Sequence, residues 1–133
     1  YLDTEAVDAG YATGPDAEYV QGMPLLRRPT HSARLDLRYA PADRGAIDLS
    51  IRYVGERDDL DFAVSPSKRI TLPAYTVADV GAELALVRGD SRRPDVTALL
   101  RVENLFDREY EEIVHFPARG RTIVAGVRVG AGF

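Results

Sequence analysis

Asp58, Asp59 and Asp61 bring three carboxylates into one short stretch. Hard cations such as calcium take about six to eight oxygen ligands, often closed by a bidentate Glu. This run has neither the full ligand set nor the closing Glu, so an acidic loop turned to water is expected. His31 and His115 are the two histidines and lie far apart in a chain without Cys. Thiolate chemistry is therefore excluded, and no metal or cofactor site is expected. A Ser, His and Asp can be picked from any chain of this length, but no nucleophile elbow of the G-x-S-x-G type occurs. The protein does not read as an enzyme. Arg34, Arg38, Arg52, Arg101 and Arg128 face an acidic set, Asp36, Asp48, Asp79 and Glu103, suited to ion pairing. Such pairs could brace a wall or line a polar path for substrate, and bracing is the preferred reading. Asn104 and Asp107 are types whose short side chains bond nearby backbone in turns.

The elements that carry these residues follow from composition and periodicity. The chain has 133 residues, 45% hydrophobic and 29% charged, with a formal net charge of -4. That balance fits a folded chain rather than a disordered one, and the net negative charge argues against nucleic acid. No run approaches the roughly 18 apolar residues of a membrane helix, which leaves membrane-spanning strands open. Residue 1 is Tyr, and residues 1 to 13 read like the middle of a structure. A fragment of a longer chain is expected.

Alternation with a period of two dominates. Leu35, Leu37 and Tyr39 alternate with Arg34, Asp36 and Arg38, and Ile47, Leu49, Ile51 and Tyr53 with Asp48, Ser50 and Arg52. Further strands are expected over 76–87, 96–103 and 122–133, and a weaker one over 2–13 whose facing stays unassigned. No comparable segment has helical periodicity. The fold class is all-β, an antiparallel meander of about six long strands. Connections at 41–45 and 88–94 are short and rich in Pro, Gly and Asp, whereas 14–30, 56–73 and 107–120 are long. Outer-membrane barrels alternate short periplasmic turns with long external loops in this way. Counting back from a periplasmic C-terminus puts all three long loops outside the cell.

A basic side chain facing lipid near the midplane costs about 2 to 4 kcal/mol, so Arg34 and Arg38 must face inward. A slip by one residue would reverse that facing in the whole strand. Tyr39, Tyr53 and Phe133 fall at strand ends, where aromatic girdles meet headgroups. A soluble antiparallel β-sandwich binding module would show the same alternation with the apolar face in a core, and it stands as the alternative. A small autonomous barrel is disfavoured, because six strands fall below the roughly 8 of the smallest bacterial barrels.

The later part of the chain also resembles the TonB-dependent outer-membrane receptors. The resemblance rests on Leu72 to Asp79, then Val102-Glu103-Asn104-Leu105-Phe106-Asp107 with Tyr110-Glu111-Glu112, then Phe116-Pro117-Ala118-Arg119-Gly120-Arg121, and the terminal Phe133. Arg28-Pro29 with His31 adds an earlier feature, and the likeness runs over residues 25 to 133. It is most similar to the vitamin B12 receptor branch, with siderophore receptors sharing the motifs. The resemblance implies that residues 1–133 are the C-terminal portion of a barrel of about 22 strands whose lumen is plugged. It implies uptake of a metal complex, cobalamin or siderophore, across the cell outer membrane. The partners implied are the remaining strands and plug domain of the parent receptor, TonB through the missing N-terminal part, lipid, the metal complex and the barrel-assembly machinery. Asn104, Leu105, Phe106, Asp107, Tyr110, Gly120 and Arg121 are family-motif positions of structural character, and Phe133 holds the place of the assembly signal.

Overall fold

The computed structural model describes residues 5–7, 14, 17–18, 20–41, 44–89 and 93–130. The described residues contain strands and no helix of α type: β1 (Ser32–Tyr39), β2 (Gly45–Val54), β3 (Arg57–Asp61), β4 (Lys68–Leu72), β5 (Tyr75–Val87), β6 (Asp95–Glu103), β7 (Glu111–Ile113), β8 (Phe116–Pro117) and β9 (Thr122–Gly130). The chain divides into two units. One comprises Arg34–Arg52, Val77–Arg108 and Arg119–Phe133; the other comprises Tyr1–Ala33, Tyr53–Thr76 and Glu109–Ala118.

The first unit is built on a five-stranded sheet of order β1-β2-β5-β6-β9. Once the inserted hairpins are set aside, neighbours in the sheet are successive in the chain, as in a meander. β5 and β6 pair antiparallel from Val80↔Val102 through Leu84↔Ala98, and a bulge at Ala85/Val87 leaves Leu86 as the extra residue. β6 and β9 pair antiparallel without a break from Asp95↔Gly130 to Glu103↔Thr122. Strand residues alternate between faces, so this register sets Val80, Ala82 and Leu84 beside Val102, Leu100 and Ala98, and these beside Ile123, Ala125 and Val127. Glu83, Arg101 and Arg128 lie on the opposite face.

The apolar face is open. Leu37 is 52% exposed, Leu84 55%, Leu100 47% and Val127 64%, and no second layer of described residues covers them. Soluble monomers rarely leave so continuous an apolar surface bare.

The five strongest expected strands coincide with β1, β2, β5, β6 and β9 to within one or two residues where described. The weaker strand over 2–13 lies mostly outside the described residues; within it, Glu5 and Ala6 make isolated bridges to Pro24 and Gln21. The segments 56–73 and 107–120 were expected only as connections. They contain their own antiparallel hairpins, β3 with β4 and β7 with β8. β3 reads RDDLD. Its acids and arginine mask the apolar alternation by which strands are recognised, so pairing there rests on tertiary partners.

The second unit owns most of the buried side chains: Ala6, Leu60, Leu72, Tyr75 and Val114. Its hydrophobic centre is small and gathers around β3, β4 and the β7–β8 turn.

Candidate functional site

The charged face of the five-stranded sheet carries a chain of ion pairs. Arg34 bonds Asp36 two residues along β1, with Nε–Oδ2 at 2.7 Å. Arg38 on β1 donates through Nη1 to both oxygens of Asp48 on β2, at 2.8 and 2.9 Å. Glu83 on β5 lies 3.9 Å from Arg38 and 3.8 Å from Arg128 of β9. Arg101 bonds Glu103 at 3.0 Å along β6. The expected pairing thus appears for Arg34, Arg38, Asp36, Asp48, Arg101 and Glu103. Asp79 differs: its carboxylate accepts the backbone N–H of Asn104 at 2.8 Å. Sequence reasoning left Glu83 out of the pairing set, although its position on the polar face was legible. Each of these pairs is open to water and screened by it, so their joint effect is to order the face rather than to stabilise the fold.

At the end of β6 the chain turns on Asn104, which is buried and has a φ of 51°. Left-handed backbone is costly for most residues and tolerated by Asn and Asp. The Asn104 amide donates to the carbonyls of Arg108 at 2.9 Å and Arg119 at 3.3 Å, while its Oδ1 accepts the N–H of Arg108 at 2.8 Å. The N–H of Leu105 donates to the carbonyl of Ala78 at 2.8 Å. Asp107, with φ 53°, accepts the N–H of Arg121 on Oδ1 at 2.6 Å. A Cβ at Gly120 would lie 2.9 Å from that same oxygen, so glycine lets the two segments close. Residues 104–108 and 119–121 therefore form one clasp at the foot of the last strand. Phe106 stays 74% exposed beside it. Tyr110 lies in the other unit, stacked on Tyr75 with ring centroids 4.1 Å apart. Phe133 lies outside the described residues.

The second unit overturns the expectation of a solvated acidic loop. Asp59 is fully buried. One oxygen accepts from Arg27 Nε at 2.8 Å and from the N–H of Leu60 at 2.9 Å; the other accepts from the N–H of Val114 at 3.0 Å. Asp58 bonds Arg69 at 2.9 Å and Thr71 at 2.8 Å, and Arg69 also donates to the carbonyl of Pro24. Asp61 accepts from the N–H of Ala63 at 2.8 Å and lies 2.9 Å from His115 Nε2. Alternation along β3 turns neighbouring carboxylates to different partners, and no group of three or more His, Cys, Asp or Glu among the described residues could hold a metal ion. The three acids are structural ties.

Electrostatics follow from this geometry. Burial works to raise the Asp59 carboxyl, but the N–H of Val114, the Arg27 guanidinium and the N–H of Leu60 together hold it below the ordinary carboxylate value. Asp61 is likewise lowered, first by the N–H of Ala63 and then by His115. Arg57 is buried as well. Its Nη2 donates to the carbonyl of Glu111 at 2.5 Å, and its guanidinium carbon sits 5.4 Å from the centroid of the Tyr75 ring. The Tyr75 hydroxyl donates to Glu112 at 3.1 Å. β3, Tyr75 and the β7 hairpin are thus tied by buried polar contacts that local patterning does not reveal.

No family model matches the chain. Over 108 residues, 80% of its length, it is 35% identical to the Vitamin B12 transporter BtuB of Vibrio cholerae, with the same match in three serotype O1 strains. The chain spans 16% of the length of these curated relatives. The similarity supports a relationship to the TonB-dependent receptors for this stretch.

Proposed function

We propose that this chain is a stretch of the transmembrane wall, with its external loops, of an outer-membrane TonB-dependent receptor that imports a metal complex. The observation that carries the reading is the sheet with one uncovered apolar face and one ion-paired face. In water the open face would forfeit about 25 cal/mol for each Å² left bare. Against lipid that cost vanishes, while the ionic face needs an aqueous or protein-filled interior. The soluble sandwich alternative requires a covering layer that the described residues do not supply.

In this reading residues 1–133 are the C-terminal portion of the barrel, and transport rather than catalysis is the activity. The relatives' name favours cobalamin over a siderophore as cargo. The remaining strands close the wall, a plug fills the lumen, TonB acts through that upstream part, and Phe133 is read by the barrel-assembly machinery. Asn104, Leu105, Phe106, Asp107, Tyr110, Gly120 and Arg121 act as structural motif residues that shape the last loop rather than touch the reaction. The second unit, tied by Asp59 and Arg57, carries the long connections 56–73 and 109–118.

The test uses the parent receptor expressed with its native upstream sequence in cells that lack their own cobalamin receptor. Recovery in the outer membrane with restored uptake of labelled cobalamin is expected. A protein found in the soluble periplasmic fraction would defeat the reading, and outer-membrane recovery without cobalamin uptake would defeat the choice of cargo.

A further inference from the structure

Arg108, Arg119 and Arg121 are exposed, and none makes an ion pair among the described residues. On the charged face of the sheet, by contrast, Arg34, Arg38, Arg101 and Arg128 each have a carboxylate partner. The clasp draws the backbones of the three together. A single nitrogen, Nδ2 of Asn104, donates to the carbonyls of both Arg108 and Arg119. Asp107 holds the N–H of Arg121. The acids nearby do not neutralise the group. Glu103 is bonded to Arg101, and Asp79 accepts the N–H of Asn104 and lies in the field of Arg34. Asp107 uses Oδ1 on the Arg121 N–H, and the exposed Glu109 makes no ion pair among the described residues. Even with both counted, the guanidiniums are in excess.

Their level on the wall follows from strand length. β6 and β9 have 9 residues each, within the roughly 9 to 11 of a tilted membrane strand. The pair Glu103↔Thr122 closes their ladder at the end from which the long connection 107–120 leaves, the external end in the receptor reading. Arg121 is the residue just before β9. Carried one position further, the alternation sets it in the column of Ile123, Ala125 and Val127. Ile123 is 65% exposed on that apolar face. An apolar column of membrane length that ends in a cation marks the level where hydrocarbon gives way to headgroups. Phe106, exposed on the same turn, is of the type that forms girdles there.

We infer that Arg108, Arg119 and Arg121 form a cradle for the phosphate of a lipid headgroup in the external leaflet, whose chains lie along Ile123, Ala125 and Val127. The inference rests on the receptor reading and adds a bound lipid to it. A guanidinium presents paired N–H donors that match phosphate oxygens. The clasp already fixes the three backbones, so binding has only side chains left to order. Lipid is chosen over free phosphate because the cations adjoin an exposed apolar column, which only a ligand with chains can cover.

Native mass spectrometry of the detergent-solubilised parent receptor tests this. Dioleoyl phosphatidic acid is expected to bind more tightly than dioleoylglycerol, which has the same chains and no phosphate. The combined variant Arg108→Gln, Arg119→Gln, Arg121→Gln should lose about tenfold in affinity for phosphatidic acid. A charge-matched variant of the opposite face, Arg34→Gln, Arg101→Gln, Arg128→Gln, should keep the native affinity. Heat-modifiable gel mobility shows that each variant is folded; if the first is not, Arg108→Gln with Arg119→Gln carries the test. Phosphatidic acid bound no better than dioleoylglycerol, or equally well by native receptor and clasp variant, overturns the inference. Equal losses in both triple variants overturn it as well, and so does inorganic phosphate that displaces the lipid at equal concentration. The receptor reading survives each of these results if the native protein is recovered folded from the outer membrane.

Discussion

Asp59 and Val114 stand 55 residues apart in sequence, yet the fully buried carboxylate of one accepts the backbone N–H of the other at 3.0 Å. The same carboxylate holds Arg27. One side chain thus joins the segment before β1, the β3–β4 hairpin and the β7–β8 turn. This makes the second unit a tied body rather than a set of independent loops.

Asp59→Ala removes the acceptor from two backbone N–H groups and from Arg27. Breaking a buried charged contact leaves its partners unpaired, at about 3 kcal/mol. Asp59→Asn keeps one oxygen acceptor and should cost less. Limited proteolysis of the parent receptor checks the order: cleavage within 56–73 and 109–118 should be fastest for the Ala variant. Equal resistance in all three proteins would contradict the tie.

Acid should loosen the same unit. Asp59 and Asp61 both have folded-state values below the ordinary 3.8. A depressed carboxyl contributes stability that is present above the unfolded value and is lost as pH falls through the folded one. The unit is therefore expected to hold from neutrality down to about 3.8 and to open below it. Pepsin cleavage against pH, normalised to an unfolded substrate, reads the opening. In Asp59→Asn the acid-dependent part should shrink, and an unchanged profile would remove Asp59 from the account.

Leu100 and Arg101 are adjacent on β6 and face opposite sides. In a membrane wall, Leu100→Arg should cost about 2 to 4 kcal/mol, while Thr97→Arg on the charged face should cost little. The folded fraction is read from heat-modifiable gel mobility and urea titration in lipid vesicles. In a soluble sheet whose apolar face is bare, Leu100→Arg would be harmless or would improve solubility, so the sign decides between the two settings.

Asn104 combines a left-handed backbone with three side-chain hydrogen bonds. Asn104→Gly keeps the conformation and loses the bonds; Asn104→Ala loses both. The Ala variant should be the weaker by roughly 1 kcal/mol, with a total loss of about 2 to 3 kcal/mol. Urea midpoints of the refolded receptor would show the ranking, and a Gly variant weaker than the Ala variant would refute the role assigned to φ.

Much of the wall was readable from local pattern. Alternation along Leu35–Tyr39 and Ile47–Tyr53 marked β1 and β2, and it assigned Arg34, Asp36, Arg38 and Asp48 to one face before any partner was known. Neighbouring strands joined by a short turn then bring Arg38 to Asp48 almost by necessity. Asp79 escaped the same logic. Its alternation placed it with the charges, but it sits where β5 meets the Asn104 turn, and its carboxylate accepts the backbone N–H there. The acids of β3 were misread as solvated because sequence records their charge and not the N–H groups folded over them.

The amino-acid order alone determined which residues share a face and where the strands run, because a two-residue period is a property of consecutive positions. Whether the greasy face meets a core or a lipid is invisible to that period, since both environments reward the same side chains. Only the tertiary structure showed that no second layer of described residues covers Leu37, Leu84, Leu100 and Val127. The ties of Asp59 and Arg57 belonged to the tertiary structure for a related reason: burial and hydrogen bonding there depend on segments distant in sequence, and no local pattern encodes who arrives.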